Sequence, residues 1–247
     1  MSTVSVNVQP IARTRNRISS ATTSGEHRTS ILQVRDEPVR RVINVAAAAV
    51  GIVVAAPIML LVAAAVKVSS PGPIIYTQTR VGLDRRQVRG APPRSRRDSD
   101  IGGRPFAIYK FRTMCVDAEQ GGNAVWAAKN DPRITPIGNF LRSTRLDELP
   151  QLYNVLLGDM NIVGPRPERP QIFARLREDI DQYQLRQIAR PGITGLAQIN
   201  QSYDTCVDDV RRKVAYDLEY VRHTSWVDDV IIMLKTVPVM LWRKGGW

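Results

Sequence analysis

The sequence predicts an α+β chain: a mainly helical domain with a small β-hairpin, preceded by a long apolar helix. Three observations predict it. An uncharged run from Val42 to Val66 is long enough to enter a bilayer. Two segments rich in β-branched and aromatic residues, Ile74–Val81 and Phe106–Met114, read as paired strands. Four later segments read as helices: Glu148–Leu157, Gln171–Asp179, Val207–His223 and Trp226–Trp242.

Residues 1–38 are rich in Ser, Thr and Arg without an apolar period, so they read as a disordered basic tail. The apolar run that follows holds only Asn44 as a strongly polar residue. Its 25 residues span about 38 Å as a helix, at roughly 1.5 Å per residue. A preceding tail this long rules against a cleaved signal peptide. Two readings stay open on physics alone. A simple spanning helix is the default. A re-entrant helix is supported by Pro57, which removes a backbone donor and bends a helix. It is also supported by the basic flanks, Arg35, Arg40 and Arg41 before and Lys67, Arg80, Arg85 and Arg86 after, which favour one side for both ends. A Ser-Ser-Pro-Gly-Pro turn at 69–73 leads into the first strand. Residues 84–104, rich in Arg, Pro and Gly, read as a mobile basic loop between the strands.

The chain has 247 residues and a formal net charge of +12, with a pI of about 10.3. That excess calls for an anionic partner: nucleic acid, an anionic lipid surface or a phosphorylated substrate. Cys115 and Cys206 give no disulfide framework, which fits a reducing compartment. With only His27 and His223 and no metal-ligand spacing, zinc chemistry and a Ser-His-Asp triad have few parts. Carboxylates, hydroxyls and Mg²⁺ remain.

The stretch Arg142–Pro167 concentrates such parts. Asp147 and Glu148 follow Arg142 and Arg145 closely. Pro150 is tolerated only in a first helical turn, so a helix start is expected near Leu146 or Asp147, with Asp147 as its N-cap. Capping is one role for Asp147. A nucleophile is the other, because a helix N-terminus attracts phosphate and keeps a carboxylate ionised. Gly164-Pro165-Arg166-Pro167 holds Arg166 between prolines, as a surface turn or as a phosphate clamp. Arg190 opens a similar Arg-Pro-Gly turn. Lys110 and Arg112 share one strand face by the period of two, either toward solvent or toward an anion. Asp98-Ser99-Asp100 resembles a glycosyltransferase metal motif, but it lies in an arginine-crowded loop with no nucleotide fold before it. The pairs Asp208-Asp209 and Asp228-Asp229 read as solvated helix faces. Trp226–Trp242 is apolar all round, which suits a core helix, but Trp at both ends and Arg243-Lys244 after it suit a membrane interface, the reading favoured here.

Several motifs in order carry a resemblance. They are Ser70-Pro71-Gly72-Pro73, Arg80-Val81-Gly82, Tyr109 to Met114, Asp131-Pro132-Arg133-Ile134-Thr135, Gly138 to Pro167, and Arg190 to Gly195. From about Arg40 to Val237 the chain resembles the bacterial sugar transferase family, the monotopic phosphoglycosyl transferases. The resemblance implies that a nucleotide diphosphate sugar gives its sugar 1-phosphate to undecaprenyl phosphate, with UMP leaving, at the start of exopolysaccharide, capsule or O-antigen assembly. It implies Asp147 as nucleophile and Mg²⁺ ligand, and Glu148 as its partner in the dyad. It places Lys110, Arg112, Arg142, Arg166 and Arg190 on phosphates. It implies a re-entrant helix over 39–68 bent at Pro57, with a cytoplasmic catalytic domain over 69–247 and interfacial C-terminal helices. The site implied is the bacterial inner membrane, N-terminus on the cytoplasmic side and inner-membrane lipids as neighbours. No nucleic-acid partner is expected, and a homo-oligomer is allowed. Ala56 stands where the family often has Ser, Asn44 where an Asp is common, and the short N-terminal tail suggests the short form of the family. The competing class is a non-enzymatic basic module, tethered to a membrane and binding nucleic acid or anionic lipid, which the +12 charge alone would suit.

Overall fold

The computed structural model describes residues 38–84, 101–116, 118, 131–201, 207–223 and 225–242. The basic tail, most of the basic loop (85–100) and residues 243–247 lie outside them. The expected α+β character is borne out: helices dominate, with one antiparallel hairpin.

Helix α1 runs from Pro38 to Ser69, 32 residues with Pro57 inside. Among the described residues it is the one helix long and apolar enough to cross a membrane. One stripe of it is buried: Arg40, Asn44 and Ala48 near the start, Val62 and Val66 near the end. The i, i+4 spacing puts them on one face. That face packs on the rest of the chain at both ends. Ala48 joins Phe106, Ile108, Val155 and Met160, while Val62 and Val66 join Phe111 and Leu141. Between them Gly51 lies against Leu152, where an added Cβ would come within 3.3 Å. The opposite face, with Val42, Val50, Val53, Val54, Leu60 and Leu61, is exposed.

Polar contacts lock the N-terminal end. Arg41 donates to the carbonyls of Val155 (2.6 Å) and Met160 (3.3 Å). The Asn44 side-chain oxygen accepts from the Ile162 N–H, and its amide donates to the Arg40 carbonyl at 2.7 Å. Arg40 lies 2.7 Å from Asp229, whose carboxylate also accepts from Tyr220 at 2.9 Å. Asp229 is therefore buried, not solvated as expected. A carboxylate stays in such a place only when paired, and Arg40 supplies the pair.

Strands β1 (Ile75–Val81) and β2 (Pro105–Phe111) pair antiparallel, from Ile75 opposite Phe111 to Val81 opposite Pro105. β2 stops three residues short of the expected Met114, which instead makes an isolated bridge to Ile134. Helix α2 (Pro136–Thr144) was not anticipated. Thr135 caps it, accepting from Gly138 N–H at 3.0 Å. A 3-10 turn, Leu146–Glu148, then leads to α3 (Gln151–Leu157). Asn154 of α3 ties it to β2: its amide donates to the Ala107 carbonyl at 2.7 Å and its oxygen accepts from Tyr109 N–H at 3.0 Å.

Beyond α3, β3 (Asn161–Val163) and β4 (Gly192–Thr194) form a two-stranded parallel pair. Three-residue strands leave no periodic signal, so the sequence did not announce them. Gly192 is required there, since a Cβ would meet Gly164 N at 2.1 Å. α4 (Pro170–Asp179), a 3-10 segment (Tyr183–Ile188), α5 (Leu196–Asn200), α6 (Val207–His223) and α7 (Trp226–Trp242) complete the domain. The last two match the expected helices residue for residue. Val81, Phe173, Leu176, Tyr183, Val210, Val214 and Leu218 form one core cluster behind the hairpin.

Candidate active site

Asp147 and Glu148 sit in the 3-10 turn between α2 and α3, and both are buried. The turn begins at Arg145, which adopts a left-handed conformation (φ 56°, ψ 17°). Such a conformation is strained for a residue with a Cβ, and it ends α2 abruptly. This corrects the expected cap. Helical backbone does begin near Leu146, but α-type bonding starts only at Gln151, with Pro150 as N-cap and no side-chain cap bond. Asp147 is left with a carboxylate that caps nothing.

The two acids have opposite surroundings. Glu148 Oε1 accepts from Lys110 Nζ at 2.8 Å and from Arg166 Nη2 at 2.5 Å, while Arg166 Nη1 reaches Oε2 at 3.4 Å. Burial would raise its pKa, but Arg166 and Lys110 outweigh burial and hold it well below the ordinary carboxylate value. Asp147, 7 % exposed, makes none of these bonds. Burial is the main cause that pushes its pKa up to about 6; Lys110 opposes this and the Glu148 charge adds to it. Lys110 is itself lowered by burial, with Glu148 acting against that shift.

Arg166 is held from behind. Arg186 donates to the Arg166 carbonyl at 2.9 Å, and Arg80 donates to the Pro167 carbonyl at 3.2 Å. Gly164 N–H bonds the Thr194 carbonyl and Gly192 N–H bonds that of Pro165, each near 3 Å. The turn between the two prolines is thus fixed on every side, and its one long side chain points at Glu148.

The acid pair opens on a cleft of about 410 Å³. Its walls bring together Lys110, Arg142, Arg145 and Arg166 with Asp147 and Glu148. Arg80, Arg133 and Arg169 also line it and were not among the expected phosphate ligands. Arg80 and Arg133 lie in the shared motifs, whereas Arg169 falls two residues past the nearest one and carried no signal. Arg112 lines the cleft too, but its guanidinium donates to the carbonyls of Ser70 (2.6 Å) and Pro71 (2.9 Å) and to the Ser70 hydroxyl (3.0 Å). It ties β2 to the end of α1, not to an open anion site. β2 ends at Phe111, so the strand period no longer places Arg112 beside Lys110. Gly72 makes room for it, with φ +123° and a Cβ position 2.1 Å from Arg112 Nη1. Arg190 is not among the cleft-lining residues. Among the described residues no group of three or more His, Cys, Asp or Glu could cage a metal ion.

The model of the bacterial sugar transferase family matches residues 35–243, most of the chain and all of this cleft. The chain belongs to the bacterial sugar transferase family. Within it, the chain is 43 % identical over 181 residues to a UDP-glucose:undecaprenyl-phosphate glucose-1-phosphate transferase of Escherichia coli (strain K12), covering 72 % of this chain and 35 % of that one. It is 39 % identical over 208 residues to a UDP-N-acetylgalactosamine-undecaprenyl-phosphate N-acetylgalactosaminephosphotransferase of Aeromonas hydrophila, covering 84 % and 45 %. A UDP-glucose:undecaprenyl-phosphate glucose-1-phosphate transferase of Caulobacter vibrioides is 40 % identical over 210 residues, covering 84 % and 72 %. The chain therefore spans less than half the length of the first two relatives and most of the third.

Proposed function

We propose that this bacterial sugar transferase moves a sugar 1-phosphate from a UDP-sugar to undecaprenyl phosphate, the first step of a surface glycan. The observation that carries the reading is the asymmetry of the acid pair. Glu148 is neutralised by Lys110 and Arg166, while Asp147 beside it faces an arginine-lined cleft without a bonded partner. A cleft of about 410 Å³ falls within the roughly 300–1,000 Å³ of small-molecule sites.

Asp147 is the proposed nucleophile. Its carboxylate oxygen forms a bond to the sugar-bearing phosphorus, and the bond from that phosphorus to UMP breaks, UMP taking the electron pair. A phosphate oxygen of undecaprenyl phosphate then bonds to the same phosphorus, and the Asp147 carboxylate leaves, regenerated. Arg142, Arg145 and Arg166 are placed to offset charge on the phosphoryl oxygens, which is most of what phosphoryl transfer asks of a protein. Glu148, held ionised, fixes Lys110 and Arg166 in place; its charge disfavours ionisation of Asp147, which Lys110, Arg166 and Arg142 favour.

Mg²⁺ fits the donor set: it takes one or two carboxylates and completes its shell with water and substrate phosphates. Asp147, whose carboxylate is not taken up by a cation, would hold it, while Glu148 is already paired with Lys110 and Arg166, and the ion would neutralise diphosphate charge. The membrane reading is that α1 enters and leaves one leaflet, with both ends on the cytoplasmic side of the inner membrane. Its support is that both ends of α1 pack on the same domain, whereas a straight spanning helix would carry them to opposite faces of a roughly 30 Å core. Trp226–Trp242, with Trp226, Val227, Leu234 and Val237 exposed, would lie in the interface.

The test of the reaction is a panel of UDP-sugars with undecaprenyl phosphate and Mg²⁺, scored for UMP. Release with one sugar, lost on omitting Mg²⁺, is expected; salt-sensitive nucleic-acid binding with no UMP release would overturn it. For topology, Ser30→Cys and Gly90→Cys, in a background without Cys115 and Cys206, should both label from the cytoplasmic side. Labelling from opposite sides would mean a spanning helix.

A further inference from the structure

Arg145 and Glu148 line two cavities, not one. Besides the arginine-rich cleft they border a second space of about 180 Å³. Its other walls are largely aliphatic: Leu152 of α3, Ile193 of β4, Ile199 of α5 and Val239 of α7. Leu152 is also the side chain that packs on Gly51 of α1, so this cavity adjoins the long apolar helix. It contains one unusual group. Gln198 lines it, and both its side-chain nitrogen and oxygen are buried without a hydrogen-bond partner. Leaving such atoms unsatisfied is costly, so a ligand that bonds them would bind preferentially.

We propose that this second cavity receives the first isoprene units of a polyprenyl phosphate, with the phosphate at Arg145, where the cavity meets the cleft. The proposal rests on the transferase reading above and adds where the acceptor lies. The two cavities divide the chemistry of the two substrates. The cleft of Lys110, Arg142 and Arg166 suits a polyanionic nucleotide sugar, and the aliphatic cavity suits a hydrocarbon. Arg145 and Glu148 are shared by the two cavities, so a lipid seated in the aliphatic one leaves its phosphate at the edge of the cleft, from which it would enter the face vacated by UMP and attack in line with the Asp147–phosphorus bond. Size agrees: aliphatic cavities of about 150 Å³ stay dry and hold a benzene ring, so about 180 Å³ has room for one or two five-carbon units. The Gln198 amide N–H groups offer donors for a phosphate oxygen at the polar end.

The experiment is photo-crosslinking of the full-length protein in nanodiscs with a diazirine-bearing farnesyl phosphate, mapped by mass spectrometry. Crosslinks are expected on the 193–199 and 236–239 peptides, competed by undecaprenyl phosphate but not by neutral polyprenol. Val239→Trp, which fills the cavity from α7, should raise the KM for undecaprenyl phosphate about tenfold by excluding several buried methylenes. The donor KM should stay within about twofold. Gln198→Leu, a milder change, should raise the acceptor KM in the same direction. Crosslinks confined to other peptides, or an unchanged acceptor KM in both folded variants, would overturn the proposal even with UMP release intact. Mapped crosslinks without UMP release from any UDP-sugar would leave the isoprenyl phosphate site standing and overturn the transferase reading instead.

Discussion

Two buried clusters of acid and arginine lie on either side of the Arg166 turn, and they are built to opposite ends. Behind the turn, Asp217 is 1 % exposed and paired with a cation: Arg186 Nη2 lies 2.7 Å from its Oδ2 and Nε donates to the same oxygen at 3.0 Å. Arg186 also donates to the Tyr183 hydroxyl and to the Arg166 carbonyl. In front of the turn, Asp147 is almost as buried but has no such partner, while Glu148 takes the cations. The same residue types thus make a scaffold in one place and a reactive group in the other. What separates them is whether a cation of the protein is bonded directly to the carboxylate.

Asp147→Asn should give the largest effect, and in two opposite directions. UMP release in a steady-state assay should fall at least 10³-fold, because the nucleophile is gone. Stability should rise. The folded pKa of Asp147 is raised to about 6, so the folded state binds its proton more tightly than the unfolded chain does. The ionised carboxylate therefore destabilises the fold above about pH 6, and that cost fades as pH falls through the unfolded value near 4. A gain on the order of 1–2 kcal/mol at pH 7.5, absent at pH 4, is expected by denaturant titration. Loss of stability at pH 7.5 would make Asp147 a scaffold residue after all.

Asp217→Ala should do the reverse. It strands the Arg186 charge in the interior and should cost about 3–5 kcal/mol by the same titration. The molecules that remain folded should keep their donor KM within a few-fold. Arg166→Gln falls between the two. It removes a cation from both acids and should lower kcat/KM about 10²-fold. In the wild type kcat/KM should rise with pH along a limb near 6; in Arg166→Gln that limb should move up, since Arg166 helps ionise Asp147. An unmoved limb would separate the limb from Asp147. The smallest effect is expected from Thr135→Ala, about 1 kcal/mol of stability through the lost α2 cap, with little change in KM.

The parts with a long period or a strong motif were legible in the sequence. The α1 run, the hairpin, α6 and α7 were placed to within a few residues, because charge-free length, β-branched composition and amphipathic period reach the chain directly. The acid pair, Lys110, Arg142 and Arg166 stood out in the sequence, and they line one cleft. Other features were hidden for physical reasons. Asp147 looked like an N-cap because a left-handed residue with a Cβ at Arg145 leaves no mark in a sequence. The parallel pair β3–β4 is too short to show a period. Asp229 looked solvated because its partner, Arg40, lies at the far end of the chain, and Arg112 looked like a phosphate ligand because its carbonyl partners belong to a turn. Pairings between distant segments decided the last three, and an unusual local backbone decided the first.

The central claim is that Asp147 is the uncommitted carboxylate and the group that carries the phosphosugar. The most direct measurement is intact-protein and peptide mass spectrometry after incubation with a UDP-sugar and Mg²⁺ and no lipid acceptor. One sugar phosphate should add to the peptide containing Asp147, with one UMP released per adduct, and undecaprenyl phosphate should discharge it. An adduct that persists in Asp147→Asn, or that maps to Glu148, would contradict the account.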